Sequence, residues 1–490
     1  MLLFLLACAP TALKVGGGPE SEGGPVEEVD SGQNVEVQDP IAMISVVPTI
    51  ELGEEVTFDG SASVDPTGKQ LISWDWSCTD GSVGDQPTLT LRPTAAGPLS
   101  CTLTVTASSG HSATASGSVQ VEAAPPAAMA DWTFLFFING DNDLEEYALM
   151  DVNELEQVGS TEKVNFLVQL DRAARYTRAD GDWTSARRLR LEKDSDDGAI
   201  TSPVIADLGE VDSGNATTVI DFVKWGVQAY PAKHYALVLW DHGDGWYIAA
   251  DSESATPRKG VSWDEGSNRE ISVADGDLGK LLAGAVEATG QPLDLFGIDA
   301  CLMGLWEVAY AVAPYAKTYV GSQDYEGAYG WKYDQAFAGV AEDSTLAAPV
   351  IGESIASTFY ASGDSTQSVS DMSAMPALNA ALDGVAEALM ASETGADVWD
   401  NAVYRSTSYD DVNSDLGQLL DLIAASTDPA VVQAATTARA AYDEVILANF
   451  ARRKGTGFSI YAPSRRLDRS YQSGPWSAGS WDELVGAMVQ

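Results

Sequence analysis

Two short apolar runs, each ending in a residue able to do proton-transfer or covalent chemistry, constrain this chain more than any other feature. Tyr235-Ala-Leu-Val-Leu-Trp240 runs into Asp241-His242-Gly243-Asp244-Gly245-Trp246, and Leu293-Asp-Leu-Phe-Gly-Ile298 runs into Asp299-Ala300-Cys301-Leu302-Met303-Gly304. After a polar loop, Leu278 to Ala288 repeats its apolar residues at helical spacing, enough for a crossover helix between the two runs. Strand, helix and strand in that order make the strands parallel neighbours. His242 and Cys301 are therefore expected at one edge of a sheet. Carboxyl edges of parallel strands are where open α/β sheets carry their sites.

A cysteine attacks as thiolate, and a neighbouring imidazole takes up and returns the proton. The chain has three histidines. His111 belongs to a small β region far upstream, and His234 precedes its strand, which leaves His242. Gly243 and Gly245 lack side chains, so backbone N–H groups there can approach a carbonyl as oxyanion donors. Gly304 to Val312 reads as a helix, and its N-terminal dipole would favour a Cys301 thiolate. The competing reading is an inert buried cysteine at the end of an apolar strand.

The order Tyr-Ala-Leu-Val-Leu-Trp-Asp-His-Gly-Asp-Gly-Trp, then Asp-Ala-Cys-Leu-Met-Gly with Glu307-Val-Ala-Tyr310, resembles the clostripain family of cysteine peptidases, which share the caspase, legumain and gingipain fold. Asp131-Trp-Thr-Phe-Leu-Phe-Phe-Ile138 leading into Asp141-Asn-Asp-Leu144, and Val164-Asn-Phe-Leu-Val-Gln-Leu-Asp-Arg172, are similar to that family's first strands. Gly321-Ser-Gln-Asp-Tyr-Glu326, Gly330-Trp331 and Gly457-Phe-Ser-Ile-Tyr-Ala-Pro463 are similar to its later landmarks. The resemblance implies, for residues 131–490, a caspase-like α/β domain with a mostly parallel sheet flanked by helices. It implies peptide hydrolysis after Arg or Lys through a thioester on Cys301, with His242 as general acid and base. The Gly243 and Cys301 amides are the implied oxyanion donors, and Asp299 matches the floor of a pocket for the basic side chain. Asp324 is expected beside it, because a basic side chain in a partly dry site needs carboxylate partners; Asp334 is a further candidate. The polar loop from Asp251 to Glu270 carries Arg258 and Lys259, where the resemblance implies self-processing. No cofactor is required for this chemistry. Calcium suits the acids of Asp141 to Glu146, whose other reading is helix capping, and metal ligands are not otherwise identified. Two rival functions are a surface binding module of the same fold and a peptidase of that fold cutting after Asn or Asp.

The remainder of the chain reads as delivery and support. Met1 to Cys8, Met-Leu-Leu-Phe-Leu-Leu-Ala-Cys, resembles a bacterial lipoprotein signal, with Cys8 as the acylated residue. Residues 9–39 have little apolar surface to bury and read as a disordered tether. From 40 to 122, short alternating strands separated by turn residues predict a β-sandwich, and Gly60-Ser-Ala-Ser-Val-Asp-Pro66 with Trp74-Asp-Trp76 resembles a PKD-type, immunoglobulin-like domain. Cys78 and Cys101 lie on or beside two of its strands and are expected to form a disulfide, which requires an exported protein; two unpaired thiols are the alternative. A Pro/Ala linker, 123–130, follows. Residues 346–449 are Ala-rich with helical periodicity, and 457–463 returns to a strand. With 27 Lys and Arg against 72 Asp and Glu, the net charge of −45 argues against nucleic-acid partners. The expected partners are peptides bearing Arg or Lys, with the membrane touched only by a lipid anchor. The expected location is the cell envelope, as a lipoprotein, or the secreted fraction.

Overall fold

A computed structural model describes residues 38–122, 129–196, 198–246, 260–363, 366–452 and 454–489. Cys8, Arg258 and Lys259 lie outside them. The chain divides into two compact units, Met1–Pro125 and Pro126–Gln490.

The first unit is a β-sandwich. Five strands pair in the order Thr49–Glu51, Ser112–Glu122, Gly97–Ala107, Leu71–Cys78 and Val83–Gly84, and Val56–Asp59 pairs with Thr88–Leu91. In Gly97–Ala107 the residues Leu99, Cys101, Leu103 and Val105 are buried while Thr102 is exposed, the period of two that packs one face of a strand. They meet Val56, Phe58, Trp76 and Leu89 in one core. Cys78 stands opposite Cys101 in the strand register, and the two form a disulfide.

The second unit is built on a nine-stranded sheet. In chain order its strands are β1 (Ala130–Gly140), β2 (Val164–Arg172), β3 (Arg187–Arg190), β4 (Val204–Asp207), β5 (Ala232–Trp240), β6 (Leu293–Asp299), β7 (Ala316–Gly321), β8 (Thr366–Asp371) and β9 (Ile446–Ala451). The spatial order is β4-β3-β2-β1-β5-β6-β7-β8-β9. The five central strands, β2 to β7 in that order, are mutually parallel, and the outer pairs at each end run antiparallel.

Strand β1 shows why its sequence is apolar without alternation. Phe134, Phe136 and Ile138 enter one core and Leu135 and Phe137 the other, so both faces are covered, as parallel sheets require. Helices α1 (Glu145–Val158), α5 (Tyr333–Glu342) and α6 (Ala348–Ser362) supply one cover; α2 (Ala216–Ala229), α3 (Asp277–Thr289) and α4 (Trp306–Val312) supply the other. Helix α3 is the expected crossover between β5 and β6.

The Ala-rich region departs from its expected continuous helical reading. Thr366–Asp371 is a buried strand inside it, and β9 begins at Ile446. The sequence of β8, Thr-Gln-Ser-Val-Ser-Asp, is polar, and two of its hydroxyls find partners: Thr366 Oγ1 lies 2.9 Å from Ser322 Oγ and Ser368 Oγ donates to the Gly457 carbonyl at 2.9 Å. The C-terminal run does return to a strand, Ser459–Tyr461, in a small sheet with Ser408–Tyr409 and Asn413–Asp415.

Candidate active site

In the parallel register of β5 and β6, Trp240 stands opposite Asp299. His242 and Cys301 each lie two residues beyond that pair. Equal distance past paired positions brings them to one edge, and both line a cavity of about 200 Å³ together with Trp240, Asp299, Glu326 and Gly330. The two residues singled out by position along the chain therefore share a site.

A glycine makes this approach feasible. A Cβ on Gly243 would lie 2.5 Å from the Cys301 carbonyl oxygen and 2.9 Å from Ala300 Cβ, so any side chain would push the His242 segment off the Cys301 segment. The residue after the cysteine, Leu302, is fully buried with φ 60°, left-handed backbone that a branched side chain adopts only when its surroundings impose it. Its N–H donates to the Asp324 carbonyl at 3.1 Å.

His242 is oriented by a residue that sequence reasoning assigned elsewhere. Its Nε2 lies 2.8 Å from Asp143 Oδ1. Asp143 follows β1 in the acidic run read as a helix cap or calcium ligand set, and nothing in the run itself distinguishes it. The neighbouring Asp241 is held from the end of β1 and the loop after it: Asn142 Nδ2 donates to Oδ1 at 2.7 Å and Asn139 Nδ2 to Oδ2 at 3.2 Å. The ends of β1 and β5 are thus tied through the buried side chains of Asn139, Asn142 and Asp241, next to His242.

Cys301 Sγ accepts the Glu326 N–H at 3.3 Å. Burial pushes the thiol up from its ordinary value; the Asp244 and Asp299 charges act in the same direction and the Glu326 amide opposes them. The expected helix does not begin at Gly304 but at Trp306, because residues 302–305 are occupied in turning the chain under the site.

Asp299 is 3% exposed and lines the cavity. Its Oδ2 accepts the Tyr333 hydroxyl at 2.8 Å and the Trp331 N–H at 3.1 Å. Asp324 lies outside the residues lining this cavity; its Oδ1 accepts the Tyr325 N–H at 2.8 Å. Glu326 lines it instead. Asp334 opens α5.

Further contacts explain the flanking motif residues. Trp246 is fully buried among Tyr461, Tyr471 and Trp476, with ring centroids 5.0, 4.8 and 5.6 Å away, so the C-terminal strand anchors the loop carrying His242. Glu307 does the same for the cysteine side, accepting the Tyr461 N–H at 2.9 Å and the Tyr471 hydroxyl at 2.7 Å.

This architecture is the fold of the C11 cysteine proteases. A secreted C11 cysteine protease from Bacteroides thetaiotaomicron, solved with an irreversible peptide inhibitor, superposes with a TM-score of 0.55 at 21% identity, covering 72% of this chain and all of that one. An inactive zymogen C11 protease from Parabacteroides distasonis gives 0.54 at 20% identity, covering 72% of this chain and 98% of that one. The sequence fixes the family: residues 136–467 match the profile described as the clostripain family, and the chain belongs to it. Clostripain of Hathewaya histolytica is 27% identical over 223 residues, which are 42% of this chain and 41% of that protein. Residues 37–122 match the PKD domain profile.

Proposed function

We propose that the second unit is a cysteine endopeptidase that cleaves after Arg or Lys, with Cys301 as nucleophile and His242 as general acid and base. One observation carries the reading: His242 and Cys301 occupy matching positions past adjacent parallel strands and line one cavity with a buried carboxylate, Asp299. In the first step His242 takes the thiol proton as Sγ attacks the scissile carbonyl, then passes it to the leaving amine. A thiol raised by burial makes that proton transfer part of the attack rather than a resting ion pair. Water hydrolyses the resulting thioester with His242 as base. The Gly243 and Cys301 amides are assigned to the oxyanion, and Asp143 holds the imidazole. A cationic side chain entering the cavity meets Asp299, and Glu326 is the better placed second acid.

The test is a matched set of fluorogenic peptides ending in Arg, Lys, Asn or Asp, offered under reducing conditions to wild type and Cys301→Ala. Cleavage after Arg or Lys that vanishes in the variant supports the reading. Cleavage after Asn or Asp keeps the chemistry and removes the role given to Asp299. No cleavage by wild type, before or after treatment with trypsin, replaces the enzyme by a binding module.

Self-processing at Arg258 or Lys259 follows from the same specificity, since this basic pair sits in the connection between His242 and Cys301. An intact chain by mass spectrometry in a fully active preparation would remove it. For calcium, Asp141, Glu210 and Asp264 each bring one ligand atom within 4.8 Å of the others, a carboxylate set suited to a hard cation. A bound ion would clamp the loop after β1 to the strand Val261–Asp264. Calcium should then raise the melting temperature of wild type and not of Asp264→Asn; an equal response in both discards the assignment. Export is read from the Cys78–Cys101 disulfide. Anchoring through Cys8 predicts detergent-phase partitioning that Cys8→Ser abolishes. Among the described residues no helix is long and apolar enough to cross a membrane.

A further inference from the structure

One wall of the cavity is a tight turn that carries a single large side chain. Gly327-Ala328-Tyr329-Gly330 is closed by the Gly330 N–H, which donates to the Gly327 carbonyl at 3.0 Å, and Gly327, Ala328 and Gly330 all line the cavity. Gly330 has φ 49°, and a Cβ there would lie 2.9 Å from Asp299 Oδ2 and 3.2 Å from Oδ2 of the buried Asp151. Backbone conformation and lack of room both favour glycine, so the turn sits directly on these carboxylates. Tyr329, within the turn, is 58% exposed.

The turn is fastened along one face of α1. Leu144, Tyr147, Asp151 and Glu154 follow one another at intervals of three or four residues, the spacing that stacks side chains along a helix. Leu144 lines the cavity, and Tyr147 packs edge to face on Tyr329 with ring centroids 5.4 Å apart. Glu154 accepts the Lys332 ammonium at 3.3 Å and the Tyr333 N–H at 3.0 Å. The same ammonium lies 5.6 Å from the Tyr329 ring centroid. The Tyr329 ring is thus braced by α1 and by its own chain, and its exposed part continues the cavity wall outward as an aromatic surface.

We propose that Tyr329, braced by Tyr147, is a specificity-determining residue that takes an apolar side chain from the first substrate residue beyond the scissile bond. The inference rests on the reading of the cavity as a peptidase site that takes Arg or Lys. Its direction follows from proton transfer: His242 hands its proton to the leaving amine, so the residue bearing that amine passes the imidazole. Asp143 holds that imidazole at 2.8 Å, and the next residue, Leu144, starts the face of α1 that leads to Tyr147 and Tyr329. A peptide whose basic side chain reaches Asp299 therefore carries its leaving half out over Leu144 and the Tyr329 ring. An apolar or aromatic residue there covers a ring already held in place, so little ordering offsets the contact. A carboxylate side chain gains nothing comparable from the ring face.

The experiment measures kcat/KM of the full chain on internally quenched peptides with Arg before the scissile bond and Leu, Phe, Gly or Asp after it, with cleavage sites mapped by mass spectrometry. Leu and Phe should exceed Gly about fivefold, and Asp should not exceed Gly. Tyr329→Ala should bring the Leu-to-Gly ratio to about one, and Tyr329→Phe should keep it, since the ring carries the contact. Because the readout is a ratio between two substrates, a variant that folds less completely lowers both rates and leaves it unmoved. A wild-type ratio near one, a ratio unchanged by Tyr329→Ala, or a Tyr329-dependent preference found only at the residue before Arg overturns the inference and leaves the basic pocket standing. Absence of cleavage after Arg in every peptide overturns the peptidase reading itself and this inference with it.

Discussion

At the scale of single residues, the site depends on how close two chain segments come and on what turns the imidazole. The 2.8 Å contact from Asp143 to His242 Nε2 is with a carboxylate that is 57% exposed, so its effect is on the orientation of the imidazole in a partly wet setting. Asp143→Ala should lower kcat about tenfold to a hundredfold and leave KM nearly unchanged, since the interaction matters most when the imidazole is charged. A change confined to KM would assign Asp143 to substrate binding instead. His242 and Cys301 were both legible in the sequence, because each ends an apolar strand and the spacing allows one crossover helix. Asp143 was not, since an acid at the start of a helix reads equally well as a cap. Asp151 was hidden for a related reason: a carboxylate inside an amphipathic helix looks solvent-facing until tertiary packing buries it.

At the scale of elements, the helix after the cysteine and the C-terminal strand form one unit through Glu307. Burial pushes the Glu307 carboxyl from an ordinary 4.5 up to about 7. The folded protein keeps a proton there that the unfolded chain gives up, so this group's contribution to stability declines as pH rises from about 4.5 to about 7 and levels off above. Glu307→Gln should remove that part of the decline. At pH 8 the variant should match or exceed wild type by on the order of 1–3 kcal/mol, read as melting temperature against pH. Parallel profiles for the two proteins would show that Glu307 ionises normally. The same scale shows where sequence periodicity misleads. β1 was readable because covered parallel strands are continuously apolar, whereas β8 was not, because its buried side chains are Thr, Gln and Ser around a single Val, with Ser368 bonded to the Gly457 carbonyl, and so conceal a strand among Ala-rich helices.

At the scale of the whole molecule, the chain joins two units with separate cores. The small one is fastened by Cys78–Cys101, which spans 23 residues. Replacing both cysteines with serine should lower the stability of that unit by about 2–4 kcal/mol and leave peptide hydrolysis unchanged; an equal loss in the large unit's unfolding would mean that the two unfold together. The sandwich and the parallel sheet were both legible, from alternation in one and continuous apolar strands in the other. Less legible was how residues far apart in the chain, Asp151, Asp299 and Gly330, meet under one cavity. The central claim is that Cys301, beside His242, is the nucleophile of a site that takes a basic side chain. Its most direct test is mass mapping after treatment with a peptidyl chloromethyl ketone ending in Arg, against the same reagent ending in Asn. The account predicts one adduct, on Cys301, formed much faster with the Arg reagent and lost in His242→Ala; an adduct elsewhere, or equal labelling by both reagents, would contradict it.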